Sequence, residues 1–257
     1  MTEGAGKISN RQTINVKVKR QNGPGTAPYW DTFAIPYRSK MNIISVLMAI
    51  QATPTTADGR KVSPVIWESA CLEEVCGSCS MNINGTPRQA CSALVDRLPD
   101  PIVLEPFSKF PVVRDLVVDR SSMFQNLRKV KAWIPLDGTY DLGPGPRMAE
   151  VEREHMYKLS QCMTCGCCLE ACPQVNDNSD FIGPASISQV RLFNAHPTGQ
   201  MHAGARLDAL MEPGGVHACG NAQNCVRVCP KTIPLTESIA EMGRQVTVHA
   251  LKRFFKG

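Results

Sequence analysis

The sequence predicts an α+β fold for the N-terminal part of the chain and helices joined by cysteine-bearing loops for the remainder. Three observations carry that expectation. Ile14, Val16 and Val18 alternate with Asn15, Lys17 and Lys19, the period of a half-buried strand. Ile43, Val46, Leu47 and Ile50 recur at helical spacing behind Asn42, a residue type that caps helix N-termini. Twelve cysteines fall into three groups, and the last two groups lie where no strand pattern is strong.

Taken in order, the first strand is followed by a turn at Gly23-Pro24-Gly25 and a returning strand from Tyr29 to Ile35. The helix after Asn42 comes next. Val65–Trp67 and Met81–Ile83 read as further strands, the second turning at Asn84-Gly85, and Ile102–Leu104 as the last. One helix crossing a small mixed sheet, with strands on either side of it, makes an α+β domain. From about residue 112 the period changes. Val113, Leu116 and Val117 fit a helix, and the stretch to Val130 reads as a connector. Residues 141–146, Asp-Leu-Gly-Pro-Gly-Pro, break structure. Pro184 suits the first turn of a helix reaching Asn194, and Thr236 can cap a last helix running to about Phe255. The boundary falls near residue 115, giving domains 1–115 and 116–257.

Composition narrows the function classes. Of 257 residues 43% are hydrophobic and 20% charged, which suits a globular protein with a buried core. The best apolar stretch, Ile43 to Ile50, is far too short to span a bilayer. The N-terminus lacks the apolar region of a secretory signal. A net charge of +5, dispersed along the chain, does not argue for nucleic acid. Without a secretory signal, twelve cysteines are expected to remain reduced thiols, so metal or cluster ligation is the better reading than disulfides.

Cys71-x4-Cys76-x2-Cys79, with Cys91 further on, is the plant-type ferredoxin spacing for a [2Fe–2S] cluster. The loop needs small residues where backbone amides approach sulfur, and Ala70, Gly77, Ser78 and Ser80 supply them. Cys91 lies beyond the Asn84-Gly85 hairpin, which returns it to the loop. A structural zinc site is the plainer alternative, but it usually shows two Cys-x2-Cys pairs where this group has one.

Cys162-x2-Cys165-x2-Cys168-x3-Cys172-Pro173 is the bacterial ferredoxin run, whose fourth cysteine ligates the other cluster in two-cluster ferredoxins. Cys219-x5-Cys225-x3-Cys229-Pro230 matches it at the first, third and fourth positions, while the second, residue 222, is alanine. Exchanging the fourth cysteines gives Cys162, Cys165, Cys168 and Cys229 to a [4Fe–4S] cluster. Cys172, Cys219 and Cys225 remain, three thiolates, whose natural occupant is [3Fe–4S]. A [4Fe–4S] cluster with water or an external ligand at the open corner is the alternative. Cys167, beside Cys168, reads as a small buried residue.

No histidine pair has the spacing of a Rieske centre or a zinc protease, and no dinucleotide fingerprint, phosphate loop or nucleophile elbow occurs. His217, two residues before Cys219, reads as a surface histidine more readily than as a neighbour of the third cluster. No residue is singled out as catalytic, so the chain relays electrons and partners do the chemistry at either end. The last helix carries Arg244, Lys252, Arg253 and Lys256 beside Phe254 and Phe255. That suits an anionic membrane surface or a solvated helix end equally well.

With its three cysteine groups in this order, the chain closely resembles the iron–sulfur subunits of succinate dehydrogenase and quinol:fumarate reductase. The resemblance also includes Phe110-Pro111-Val112-Val113-Arg114-Asp115-Leu116-Val117-Val118-Asp119 and Phe181-Ile182-Gly183-Pro184-Ala185. It implies a β-grasp plant-type ferredoxin domain followed by an all-helical bacterial-ferredoxin-like domain. It also implies a flavoprotein partner with covalent FAD and an integral membrane cytochrome b anchor bearing haem b. Electrons would pass from FAD through [2Fe–2S], [4Fe–4S] and [3Fe–4S] to a quinone at the anchor interface. The chain would sit peripherally on the cytoplasmic face of a bacterial membrane.

Ubiquinone-reducing members of that family carry tryptophans shortly after the first Cys-Pro and a histidine after the first cysteine of the last run. Here Asn176, Asp177 and Gly220 stand there. Gln174-Val175-Asn176 and the stretch Val190 to Gly199 resemble the menaquinone-linked enzymes more closely, so menaquinone is the expected quinone. The competing functions are the same relay run towards fumarate, a free soluble multi-cluster carrier, and a zinc-stabilised interaction module.

Overall fold

A computed structural model of the chain describes residues 12–135 and 147–256. The expected break at 141–146 lies outside the described residues. The chain divides into two compact units, Met1–Arg120 and Ser121–Gly257.

The first unit is built on a five-stranded mixed sheet, ordered β2-β1-β5-β3-β4. Strand β1 (Thr13–Arg20) pairs antiparallel with β2 (Tyr29–Pro36) on one side and parallel with β5 (Ile102–Glu105) on the other. Strands β3 (Ser80–Ile83) and β4 (Thr86–Gln89) form a hairpin, and β3 joins β5 antiparallel. Asn84 and Gly85 between them both have positive φ, 49° and 72°, the backbone of a two-residue hairpin turn. Helix α1 (Ile43–Ala52) lays Ile43, Val46, Leu47 and Ile50 against Ile14, Val16, Val18, Met81 and Leu104 in one core. The Asn42 side chain caps it, accepting from the Ser45 N–H at 2.9 Å.

Alternation along β1 carries one residue past the apolar run. Arg20 follows Ile14, Val16 and Val18 onto the inner face and is fully buried. Its guanidinium donates to both carboxylate oxygens of Asp115, at 2.8 and 3.1 Å, and to Asp31 at 3.1 Å. Asp115 also accepts from the backbone N–H groups of Gln21 and Ile66, at 3.2 and 2.9 Å. These contacts explain two departures from the expected elements. The stretch expected to be helical at Val113, Leu116 and Val117 is instead two short antiparallel strands, β6 (Val112–Arg114) and β7 (Val117–Val118). Between them Asp115 takes a φ of +46° and points into the Arg20 site. Val65–Trp67 forms no named strand, because Ile66 bonds the Asp115 carboxylate and accepts from the Leu116 N–H rather than joining the sheet.

In the second unit the named elements among the described residues are helices. They are α2 (Ser121–Lys129), α3 (Glu150–Ser160), α4 (Cys167–Glu170), α5 (Pro184–Ala195), α6 (Ala203–Met211), α7 (Asn224–Arg227) and α8 (Leu235–Lys256), with short 3-10 turns between some of them. Pro184 opens α5 as expected, since its missing N–H has no partner to lose there. Helix α8 begins one residue before Thr236, which therefore lies in its first turn and does not cap it. Val130, Phe181, Ile187, Val190, Leu210 and Met242 form the core where α5, α6 and α8 meet.

A second buried arginine, Arg206 of α6, is 1% exposed and has no acidic partner among its hydrogen bonds. It donates to the carbonyls of Lys131, Trp133 and Gly199 and to the Asn194 side chain, at 2.7 to 3.1 Å. Burial draws its pKa down. Replacing it with methionine would remove the donor that the Trp133 and Gly199 carbonyls and the Asn194 side chain share, while the Lys131 carbonyl keeps the Trp133 N–H at 2.8 Å. An Arg206→Met chain should lose about 3 kcal/mol of stability in the second unit, measurable by denaturant unfolding.

Candidate iron–sulfur sites

The first cysteine group sits on a loop between α1 and β3 and on the strand-end segment after β4. Cys71 and Cys76 are half-buried, Cys79 and Cys91 buried. Leu72, Glu74 and Gly77 have positive φ, so the loop curls and turns its amides towards sulfur. The N–H groups of Glu73, Val75 and Cys76 donate to Cys71 Sγ at 3.3 to 3.4 Å, and that of Ser78 donates to Cys76 Sγ at 3.4 Å. The Ser78 hydroxyl, also 3.4 Å from Cys76 Sγ, is foremost in holding that thiol down to about 6. Burial pushes Cys79 up to about 11, with the Cys91 thiol close enough to contribute. Asn42, the cap of α1, also donates to the Cys91 carbonyl at 2.9 Å, tying the fourth cysteine to the helix. Ser80 donates to the Gly77 carbonyl at 2.6 Å. Small and hydroxyl residues therefore stand where the loop needs them.

The other cysteines surround two cavities within the second unit. Cys162, Cys165, Cys168 and Cys229 line one, with Met123, Ala185, Ile233 and Leu235 in its wall. Burial, and after it the neighbouring thiols Cys165, Cys162 and Cys229, push the Cys168 thiol well above its ordinary value. Cys172, Cys219 and Cys225 line the other, with Phe181, Ala222 and Ile239. Burial raises the Cys225 thiol, followed by its neighbours Cys172 and Cys219. Each run thus places its fourth cysteine in the other run's cavity. Backbone amides reach sulfur here too, Asn221 donating to Cys219 and Ile233 to Cys229, both at 3.4 Å.

The two runs repeat a backbone as well as a spacing. In the first, Thr164 and Gly166 flank Cys165 with φ of 51° and 89°; in the second, Asn221 and Gln223 flank Ala222 with 52° and 59°. Gly166 and Gln223 each stand as N-cap of a one-turn helix, α4 or α7, carrying Cys168 or Cys225. Ala222 therefore occupies the place of Cys165. Cys167 corresponds to Asn224, is fully buried, and lines neither cavity. His217 is exposed on a 3-10 turn and lines neither.

The donor set suits iron–sulfur clusters. Thiols surround apolar-walled spaces, and amides are aimed at sulfur, as a negatively charged cluster requires. Among the described residues no three His, Cys, Asp or Glu side chains draw together tightly enough for a single ion. Gly220 lies against Gln174: a Cβ there would come within 2.5 Å of the Gln174 Nε2. Gln174, which the sequence marked only as part of Gln174-Val175-Asn176, lines the three-thiol cavity, and Arg120, which no spacing marks, donates to the Gly77 and Ser78 carbonyls.

Residues 15–125 match the family model of the 2Fe-2S iron–sulfur cluster binding domain, and residues 158–233 that of the 4Fe-4S dicluster domain. The succinate dehydrogenase iron–sulfur subunit of Bacillus subtilis is 59% identical over 96% of this chain and 98% of its own length. The fumarate reductase iron–sulfur subunit of Mycobacterium tuberculosis is 32% identical over 89% of this chain and 90% of its own. Among solved structures, a chain of the Mycobacterium smegmatis Sdh1 complex in the apo form superposes with a TM-score of 0.76 at 26% identity, covering 91% of this chain and 95% of that one. On this likeness, which spans nearly the full length of both chains, the protein belongs to the family of succinate dehydrogenase and fumarate reductase iron–sulfur subunits.

Proposed function

We propose that this chain is the electron-relay subunit of a succinate:quinone oxidoreductase, with its first unit a β-grasp ferredoxin-like domain and its second a helical ferredoxin-like domain. The observation that carries the proposal is the distribution of thiols: a loop of three with a fourth beyond the β3–β4 hairpin, one cavity of four and one cavity of three, in a single chain. Bound there, the clusters would supply one-electron transfer over a path from a flavin to a quinone.

Each part of the chain has a role in that relay. Cys71, Cys76, Cys79 and Cys91 would hold [2Fe–2S], with the amides of Glu73, Val75, Cys76 and Ser78 offsetting negative charge on sulfur. Cys162, Cys165, Cys168 and Cys229 would hold [4Fe–4S], and Met123, Ile233 and Leu235 keep water from it. Cys172, Cys219 and Cys225 would hold [3Fe–4S], with the small apolar Ala222 at the fourth corner. The two ends of the path lie in partners: a flavoprotein with covalent FAD, and a membrane cytochrome b anchor with haem b and menaquinone. Among the described residues no helix is long and apolar enough to cross a membrane. Attachment through the anchor on the cytoplasmic face accounts for that.

EPR of the complex, as isolated and after succinate or dithionite, tests the proposal. An oxidised-state three-iron signal and a succinate-reducible [2Fe–2S] signal are the expected results. A chain that carries zinc, or clusters that succinate leaves oxidised in the assembled complex, would overturn it.

A further inference from the structure

We infer that Arg120 is a positioning residue for the first cluster, setting its reduction potential through the Gly77–Ser78 peptide. The inference rests on the [2Fe–2S] reading of Cys71, Cys76, Cys79 and Cys91. Arg120 closes the first unit and its side chain is only 17% exposed. Its guanidinium donates to the Gly77 carbonyl at 2.7 Å and to the Ser78 carbonyl at 2.8 Å. Those are the two residues between Cys76 and Cys79. Its one acidic contact among the described residues, Glu68 at 3.1 Å, is half-exposed, so the charge is only partly countered on the side facing water.

The geometry of a peptide unit turns this contact into an effect at sulfur. In a planar trans peptide the C=O and N–H point in opposite directions. Holding the Gly77 carbonyl on the guanidinium therefore aims the Ser78 N–H the other way, where Cys76 Sγ lies 3.4 Å from it. The positive φ of Gly77, +76°, allows the flip that brings the carbonyl round. Hydrogen bonds in series polarise one another, so a cation on the oxygen strengthens the N–H as a donor. The nearby positive charge and the stronger N–H···S bond both favour the more negative, reduced cluster. Both raise the potential.

The test is a redox titration of the assembled complex followed by EPR, with Arg120→Met, Arg120→Lys and Glu68→Gln variants. Arg120→Met is expected to lower the midpoint of the [2Fe–2S] signal and leave the midpoint of the three-iron signal unchanged. Arg120→Lys, which keeps the charge but loses the paired donors, should fall between Met and the native chain. Glu68→Gln, which removes the countercharge and keeps both carbonyl contacts, should raise the midpoint. It decides the matter should Arg120→Met fail to retain its cluster. A native midpoint in Arg120→Met with an intact signal, or in Glu68→Gln, would overturn the inference. Absence of any [2Fe–2S] signal in the native complex would instead overturn the cofactor reading beneath it.

Discussion

An Ala222→Cys chain is expected to lose the oxidised-state three-iron signal entirely and to show a second [4Fe–4S] signal on reduction. The expectation comes from the repeated backbone: Ala222 stands between positive-φ residues as Cys165 does, at the wall of the three-thiol cavity. A thiol placed there completes the donor set that the first run already has. Because a [4Fe–4S] centre commonly lies lower in potential than a [3Fe–4S] one, the same change should slow electron exit to quinone while leaving succinate reduction of the [2Fe–2S] centre intact. An unchanged three-iron signal in a chain that folds and carries its other clusters would refute the assignment of the three-thiol cavity. A Cys225→Ser chain is no substitute, since it removes a ligand and merely empties the site.

Asp115→Ala should cost about 3–5 kcal/mol, the range for removing one partner of a buried ion pair. Arg20 and Asp115 are both fully buried, and Asp115 holds four donors at once: two guanidinium nitrogens and the N–H groups of Gln21 and Ile66. Burial alone would pull the Arg20 pKa down, but hydrogen bonding and charge from Asp115 more than offset it and leave it raised. Without that carboxylate the guanidinium keeps only Asp31 and two carbonyls as partners. Set against the 5–15 kcal/mol that usually holds a domain, the loss brings the first unit close to unfolding. Denaturant titration, followed by bleaching of the [2Fe–2S] absorbance, measures it. The triple change Arg20→Met, Asp31→Asn, Asp115→Leu should destabilise less than Asp115→Ala alone, because the guanidinium and both carboxylates facing it are then gone and no uncompensated charge remains inside. A triple variant as weak as the single one would mean that the ion-pair network does more than satisfy itself.

Those two sites mark what the sequence does and does not disclose. Signals carried by neighbours along the chain were legible. The alternation of Ile14, Val16 and Val18 gave β1, Asn42 with its apolar followers gave α1, and Asn84-Gly85 gave the hairpin. Cysteine spacing suggested a grouping of the thiols, because a run of short fixed intervals leaves the chain little choice of loop. Signals that depend on distant partners were not legible. Val113, Leu116 and Val117 have helical spacing, yet Asp115 between them is drawn to Arg20, ninety-five positions earlier, and the segment bends into two strands. The same carboxylate kept Ile66 out of the sheet. Arg120 left no trace either, since a lone arginine at the end of a strand pair looks like any surface cation until its carbonyl partners are seen.

The exchange of Cys172 and Cys229 between the two runs also governs how the protein can be made. In the proposed ligation each iron centre would be closed by a thiol carried on the other's segment, so the segments would act as two interlocked clasps. Filling either one pins both, shortens the search that the remaining thiols must make, and lowers the entropic cost of filling the second. Biogenesis of the second unit is then close to all-or-none: chains carrying both centres or neither should dominate, and half-loaded chains should be scarce. For an electron relay that is a useful property, because a half-loaded chain would accept electrons and have nowhere to send them.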